Sequence, residues 1–171
     1  MANQLVTKAE GQELTLERVF NAPRELVFQA FTQSEHLKHW WGPRGWEITV
    51  SDMDFRPGGS WHYCFKCMDQ AQGDFYGMES WGKAVYDQIE TPARIVYVDY
   101  FSDAEGTLSE DMPPSHIVMT FETLEGGKTK VVNHATYASP EALRSVLDMG
   151  MEQGIGETYD RLDEYLEQAQ A

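Results

Sequence analysis

The sequence predicts an α+β domain: one antiparallel sheet of about six or seven strands, two short helices after the first strand, and one long C-terminal helix. Three observations predict it. Residues 46–137 hold short runs that alternate apolar and polar side chains, the period of half-buried strands, separated by turn signals. After Ser139 the period lengthens to three or four and stays there to residue 167. Strands joined by short turns pair antiparallel, and helices gathered on one face of such a sheet define the class.

Residues 1–13 read as a loose polar tail, and residues 14–168 as a single domain. In 14–20, Leu14, Leu16 and Phe20 share a phase and predict a strand. Asn21-Ala22-Pro23 turns the chain, and Pro23 suits a first helical position, where its missing N–H costs nothing. Val27, Phe28, Ala30 and Phe31 then fit a short helix. Ser34 is the expected cap of a second helix, with Leu37, Trp40 and Trp41 at helical spacing and Gly42-Pro43-Arg44-Gly45 as its end.

Residues 46–55 read as a strand closed by the turn Arg56-Pro57-Gly58-Gly59. Trp61, Tyr63 and Phe65 alternate with Ser60, His62 and Cys64 in the next. A polar hairpin loop is expected over 66–74 and a strand over 75–90, with Gly77 and Gly82 as candidate bulges. A Val-, Ile- and Tyr-rich strand spans 94–101. Residues 102–115 carry four acids, no base and Pro113-Pro114, the composition of an exposed loop. Residues 116–123 and 128–137 form a hairpin around Glu125-Gly126-Gly127. Ser139-Pro140-Glu141 combines a capping hydroxyl, a first-turn proline and an acid near the positive helix end. The stripe Leu143, Val146, Leu147, Gly150, Met151, Gly154, Thr158 and Leu162 predicts a helix of roughly 40 Å.

Composition bounds the function. At 171 residues with 42% hydrophobic and 12% aromatic residues, the chain can bury a sizeable core. Acids outnumber bases 28 to 13, for a net charge of −15, so nucleic acid and anionic membranes are expected to be repelled. No run of about 18 apolar residues is present, and the first residues lack the apolar stretch of a signal peptide. Two cysteines are too few for a disulfide scaffold, so a cytoplasmic location is expected.

Several segments resemble one superfamily. The run Arg18-Val19-Phe20-Asn21-Ala22-Pro23, with Val27-Phe28 and Ala30, resembles the opening of the START-like, or SRPBCC, superfamily. Trp40-Trp41-Gly42-Pro43 and Asp54-Phe55-Arg56-Pro57-Gly58-Gly59 resemble its branch named after the activator of heat-shock-protein-90 ATPase homologue. So do the segment from Tyr100 to Gly106, and Met151-Glu152-Gln153-Gly154 leading to Tyr159-Asp160-Arg161-Leu162. The resemblance covers about 14–166. It implies a helix-grip fold, in which a curved sheet wraps the long helix around a cavity. Many members bind hydrophobic small molecules there, and some relatives are cyclases or hydrolases. Many also carry Trp where this chain has Ile155. The branch takes its name from a eukaryotic co-chaperone with an additional chaperone-binding region, and no second such domain is expected within these 171 residues.

On that frame Trp61, Tyr63, Trp81 and Tyr97 fall on strands that should face the helix, with the phase of Trp81 left open by Gly82. They read either as plain core or as a cavity wall, where a ring with a polar tip fits well. Asp99 is in phase with Ile95, Tyr97 and Phe101. The nearby strand end favours a solvent-exposed carboxylate; an inward one would have a raised pKa and could act as an acid or base. Asn133 shares the phase of Val131, Ala135 and Tyr137, leaving His134 outside unless a bulge swaps them. Met119 is in phase with the inward wall, and Met151, Gly154 and Ile155 come from the helix side. A mid-helix Gly154 costs about 1 kcal/mol, explained by close packing or by room for a ligand. His62, Cys64 and Cys67 suggest zinc, but positions 64 and 67 point to opposite faces of a regular strand, so ordinary small residues are the preferred reading and no metal or cofactor is expected. The acids of 157–167 read as a solvated helix face. No nucleophile triad, phosphate loop or nucleotide fingerprint is present. The expected function is a soluble binding protein for a hydrophobic or aromatic small molecule. The alternatives are an enzyme acting on such a ligand and a chaperone-associated cofactor.

Overall fold

The structure, a computed structural model, describes residues 4–170. Its strands are β1 (Val6–Glu10), β2 (Glu13–Phe20), β3 (Trp46–Met53), β4 (Ser60–Cys67), β5 (Glu79–Glu90), β6 (Arg94–Phe101), β7 (Ser115–Leu124) and β8 (Lys128–Thr136). The helices are α1 (Arg24–Thr32), α2 (Ser34–Trp40), α3 (Pro140–Asp148) and α4 (Met151–Ala169). All strands join one antiparallel sheet in the order β1-β2-β8-β7-β6-β5-β4-β3. The α+β class stands, and the described sheet has eight strands rather than six or seven. The extra one is β1, in the stretch expected to be tail; its backbone pairs with β2 from Val6↔Glu17 to Glu10↔Glu13. It alternates poorly because it is an exposed edge strand with little to bury. The start of that tail, residues 1–3, lies outside the described residues.

The inner face of the sheet carries the helices. Leu14, Leu16 and Phe20 point there from β2, all at most 3% exposed. α1 buries Val27, Phe28, Ala30 and Phe31 against β7 and β8, where Phe28 and Phe31 meet Phe121 edge-on at 5.1 and 5.5 Å. Pro23 precedes α1 rather than opening it, and its carbonyl accepts from Val27 N. Ser34 opens α2 but does not cap it; its hydroxyl is drawn to Ser51 on β3 instead. His39 of α2 stacks on Tyr165 of α4 at 5.2 Å.

The 54–59 turn is stitched into the sheet. Gly58 N donates to Tyr86 O at 2.8 Å, and Tyr86 N to Gly59 O at 3.0 Å. A side chain at Gly59 would strike the Asp54 carbonyl. The turn thereby sets Phe55 edge-on against Tyr86 at 4.9 Å and Phe28 at 6.1 Å.

Bulges lie at Thr49 and Asp87, not at Gly77 or Gly82. Gly82 pairs regularly with Tyr63, and the Tyr63 ring occupies the place where a side chain would be. β4 runs on to Cys67, the following loop holds a 3-10 turn over Gln70–Phe75, and β5 begins only at Glu79.

The long C-terminal helix is two helices. Ser139 Oγ accepts from Ala142 N at 3.1 Å, the expected cap of α3. Gly150, at φ +85°, then breaks the run and precedes α4. The apolar stripe continues across the break because both helices bury the same side, so periodicity alone does not reveal it. Among the described residues, no helix is long and apolar enough to cross a membrane.

Candidate functional site

A cavity of about 270 Å³ lies between the inner face of the sheet and α4. Leu14 and Leu16 of β2, Ile117 and Met119 of β7, and Ala135 of β8 form its apolar floor. Met151, Gly154, Ile155, Thr158 and Tyr159 of α4 cover it, with Val146 of α3 and the loop Trp41-Gly42-Pro43. Tyr63, Tyr97, Asp99, Ser115, Asn133 and Tyr137 add polar groups.

Two arginines hold this roof in place. Arg161 of α4 turns its Nη1 into the 41–46 loop, donating to the carbonyls of Gly42 at 2.8 Å and Trp46 at 3.0 Å, and more weakly to those of Trp41 and Pro43 at 3.3 Å. Arg18 of β2, almost fully buried, donates to Asp160 at 2.7 Å and Asp163 at 3.4 Å. Of the α4 acids expected on a solvated face, Asp163 is partly shielded; Asp160 and Glu164 stay exposed while they pair with Arg18 and Arg44, and Asp160 and Asp163 together fasten the helix to β2. Gly154 faces the loop, and a methyl there would lie 3.8 Å from Pro43 Cγ.

Nine of the ten expected site residues lie along the cavity: Tyr63, Trp81, Tyr97, Asp99, Met119, Asn133, Met151, Gly154 and Ile155. Trp61 does not line it. It is 4% exposed, donates Nε1–H to Ser51 Oγ at 2.9 Å and stacks on Tyr63, so it is core behind the wall. Trp81 borders the cavity, but its ring stacks on His62, on the opposite face of the sheet from Tyr63. Regular pairing of Gly82 with Tyr63 puts Trp81 opposite Cys64, facing outward. Asn133 faces in, and His134 lies outside between Thr15 and Glu13, at 3.0 and 2.9 Å. Pairing through that part of β8 is regular, so no bulge swaps the two.

Asp99 corrects the solvent-exposed expectation. Its carboxylate borders the cavity and accepts from Tyr63 O–H, at 3.1 Å to Oδ1 and 3.4 Å to Oδ2. Burial raises its pKa from 3.8 to about 7, and the Tyr63 hydrogen bond offsets only part of that rise. The neighbouring tyrosines respond in kind. Burial first and the Asp99 charge second hold Tyr63 and Tyr97 well above the ordinary phenol value. Burial pushes Tyr137 up to about 12, although a hydrogen bond with Ser115 draws it back. All are neutral hydroxyls near pH 7, able to donate or accept.

His62, Cys64 and Cys67 do not converge. His62 Nε2 lies 2.9 Å from the Asp103 carbonyl, while both thiols are fully buried and free. Among the described residues, no group of three His, Cys, Asp or Glu side chains could hold a metal ion.

Tyr137, Tyr159 and the 41–43 loop also line the cavity, and their place there is not predicted from the sequence. Tyr137 carried a signal, since it shares the phase of Asn133. The loop carried none beyond the family motif, because its carbonyls are gathered by an arginine more than a hundred residues away.

An eight-stranded antiparallel sheet gripping a C-terminal helix over a lined cavity is a helix-grip fold, a ligand-binding type of architecture. The family described as Activator of Hsp90 ATPase homolog 1-like protein matches residues 21–167, and the chain belongs to it. Protein Ms6760 from Mycobacterium smegmatis is 31% identical, with 94% of this chain and 95% of that one covered and a TM-score of 0.82. A solution structure from Staphylococcus epidermidis is also 31% identical, covering 96% and 94% at a TM-score of 0.80. One from Arthrobacter aurescens, at 24% identity, covers 95% and 91% at 0.84 and shares the fold. No curated protein matches the chain.

Proposed function

We propose that this protein binds a hydrophobic, ring-containing small molecule in the cavity beneath α4. The observation that carries the reading is the lining itself: an apolar space of about 270 Å³ with a few convergent polar groups. That volume lies just below the usual range of ligand pockets, roughly 300–1,000 Å³, which favours a small ligand. Burial of ligand area supplies the driving force, at roughly 25 cal/mol per Å² before ordering costs. The polar groups fix orientation.

A panel of aromatic compounds and fatty acids, screened by thermal shift, tests this. A true ligand raises stability by about 2.7 kcal/mol at a hundredfold excess over its Kd. Gly154→Leu puts a side chain into the space and should abolish that shift while costing less in folding than in binding. If no compound raises the melting temperature and Gly154→Leu only destabilises, the lining is core and the reading fails.

A second reading has one observation in its favour. A carboxyl with a pKa of about 7, hydrogen-bonded to a tyrosine inside a cavity, is suited to general acid–base work on a bound ligand. Turnover of an identified ligand, lost in Asp99→Asn with binding retained, would establish it. The chaperone-associated reading rests on the family's name alone.

A further inference from the structure

We propose that the cavity takes a ligand with an apolar ring body and a cationic amine head, and that Asp99 receives the head. This rests on the cavity being the ligand site. Among the described residues that line the cavity, Asp99 is the one carboxylate, and none is Lys, Arg or His. An anionic head would therefore be buried beside a like charge with nothing to neutralise it, an arrangement that is costly in a poorly solvated space. A cationic head meets its counter-charge there.

The rest of the wall agrees. Among the described residues, Asp99 accepts hydrogen bonds from the Tyr63 hydroxyl, whereas a carboxylate offers about four acceptor positions. The groups that face it are Tyr63 from β4, Tyr86 from β5, Tyr97 from its own strand, Ser115 from β7 and Tyr137 just after β8. All are neutral near pH 7, so none of them neutralises the carboxylate. Arg18 lies near enough to act on Tyr159 of the lining but is engaged by Asp160 and Asp163. The net charge of −15 draws cations toward the protein and turns anions away.

The test uses one body with three heads: naphthylethylamine, naphthylethanol and naphthylacetate, titrated calorimetrically into the full chain at pH 8. The amine should bind at least about tenfold tighter than the alcohol, and the acetate weakest. Asp99→Asn, checked for folding by its melting curve, should bring the amine down to the alcohol's affinity and leave the alcohol nearly unchanged. Amine affinity should fall about tenfold per unit as pH drops below 7, because Asp99 must lose its proton to pair. Acetate binding as tight as the amine's, or amine binding indifferent to Asp99→Asn, overturns the head-group assignment and leaves the cavity reading intact. If no probe binds, or binding survives Gly154→Leu, the cavity reading itself falls.

Discussion

A carboxyl group inside an apolar wall either finds a partner or keeps its proton, and Asp99 does some of each. Its raised pKa has a definite consequence for stability. The folded chain holds this proton more tightly than the unfolded one, so the contribution of Asp99 is most favourable below its ordinary value of 3.8. That contribution is lost as pH rises from 3.8 to about 7 and stays level above. Asp99→Asn should flatten that slope. At pH 8 the variant should melt several degrees above the wild type, on the order of a few kcal/mol, with a much smaller gain at pH 4. Melting curves at the two pH values decide it; a gain independent of pH would mean that Asp99 is as well solvated as a surface acid. The thiols make a second residue-scale test. Cys64 and Cys67 are both fully buried, and burial raises the Cys64 thiol further. Both should react with a disulfide reagent at the rate of unfolding, and fast reaction of either in native protein would contradict the packing of β4.

At the scale of elements, the roof of the cavity is a helix and a loop joined by one side chain. Arg161 gathers four carbonyls at the turn from α2 into β3, those of Trp41, Gly42, Pro43 and Trp46. Arg161→Met should cost about 1–3 kcal/mol, since part-buried carbonyls lose a charged donor, and should weaken ligand binding as the loop loosens. Arg161→Lys should recover little, because an ammonium cannot reproduce the guanidinium fork. Denaturant melts of the pair measure both. Gly154 separates the helix from the loop. A methyl there meets only Pro43 at ordinary contact distance, so Gly154→Ala should be neutral or stabilise by up to about 1 kcal/mol. Loss of stability on that change would show that the loop and α4 are already in closest contact.

For the whole molecule, the inner face of the sheet has no cover without α3 and α4. Leu143, Val146, Tyr159, Leu162 and Leu166 close the core from that side. A fragment ending at residue 139 would expose Leu14, Leu16 and Ile117 together, an apolar patch of the kind monomers avoid. It should aggregate or fail to melt cooperatively in calorimetry; a cooperatively melting fragment would show that the sheet stands alone.

What the sequence determined is which side of the chain faces inward. Alternation placed Tyr63, Tyr97, Asn133 and Met119 on one face, and the stripe after Ser139 placed Met151, Gly154 and Ile155 opposite, because side-chain period follows directly from backbone geometry. Family motifs then supplied the grip of sheet on helix. Depth and distant pairing were decided by the tertiary structure. Trp61 and Tyr63 share a phase, yet one is core and the other cavity wall, since the difference lies in what packs above each. Trp81 turned outward because Gly82, not a bulge, lies under the Tyr63 ring. The break at Gly150 left the apolar stripe unmarked. Asp99 stands near a strand end, the usual place for an exposed acid, and is internal only because Tyr63 reaches it from β4 and α4 lies over the space beside it. A strand's own residues fix the direction of a side chain; whether that direction ends in solvent, in packing or in a cavity depends on segments far away in the chain.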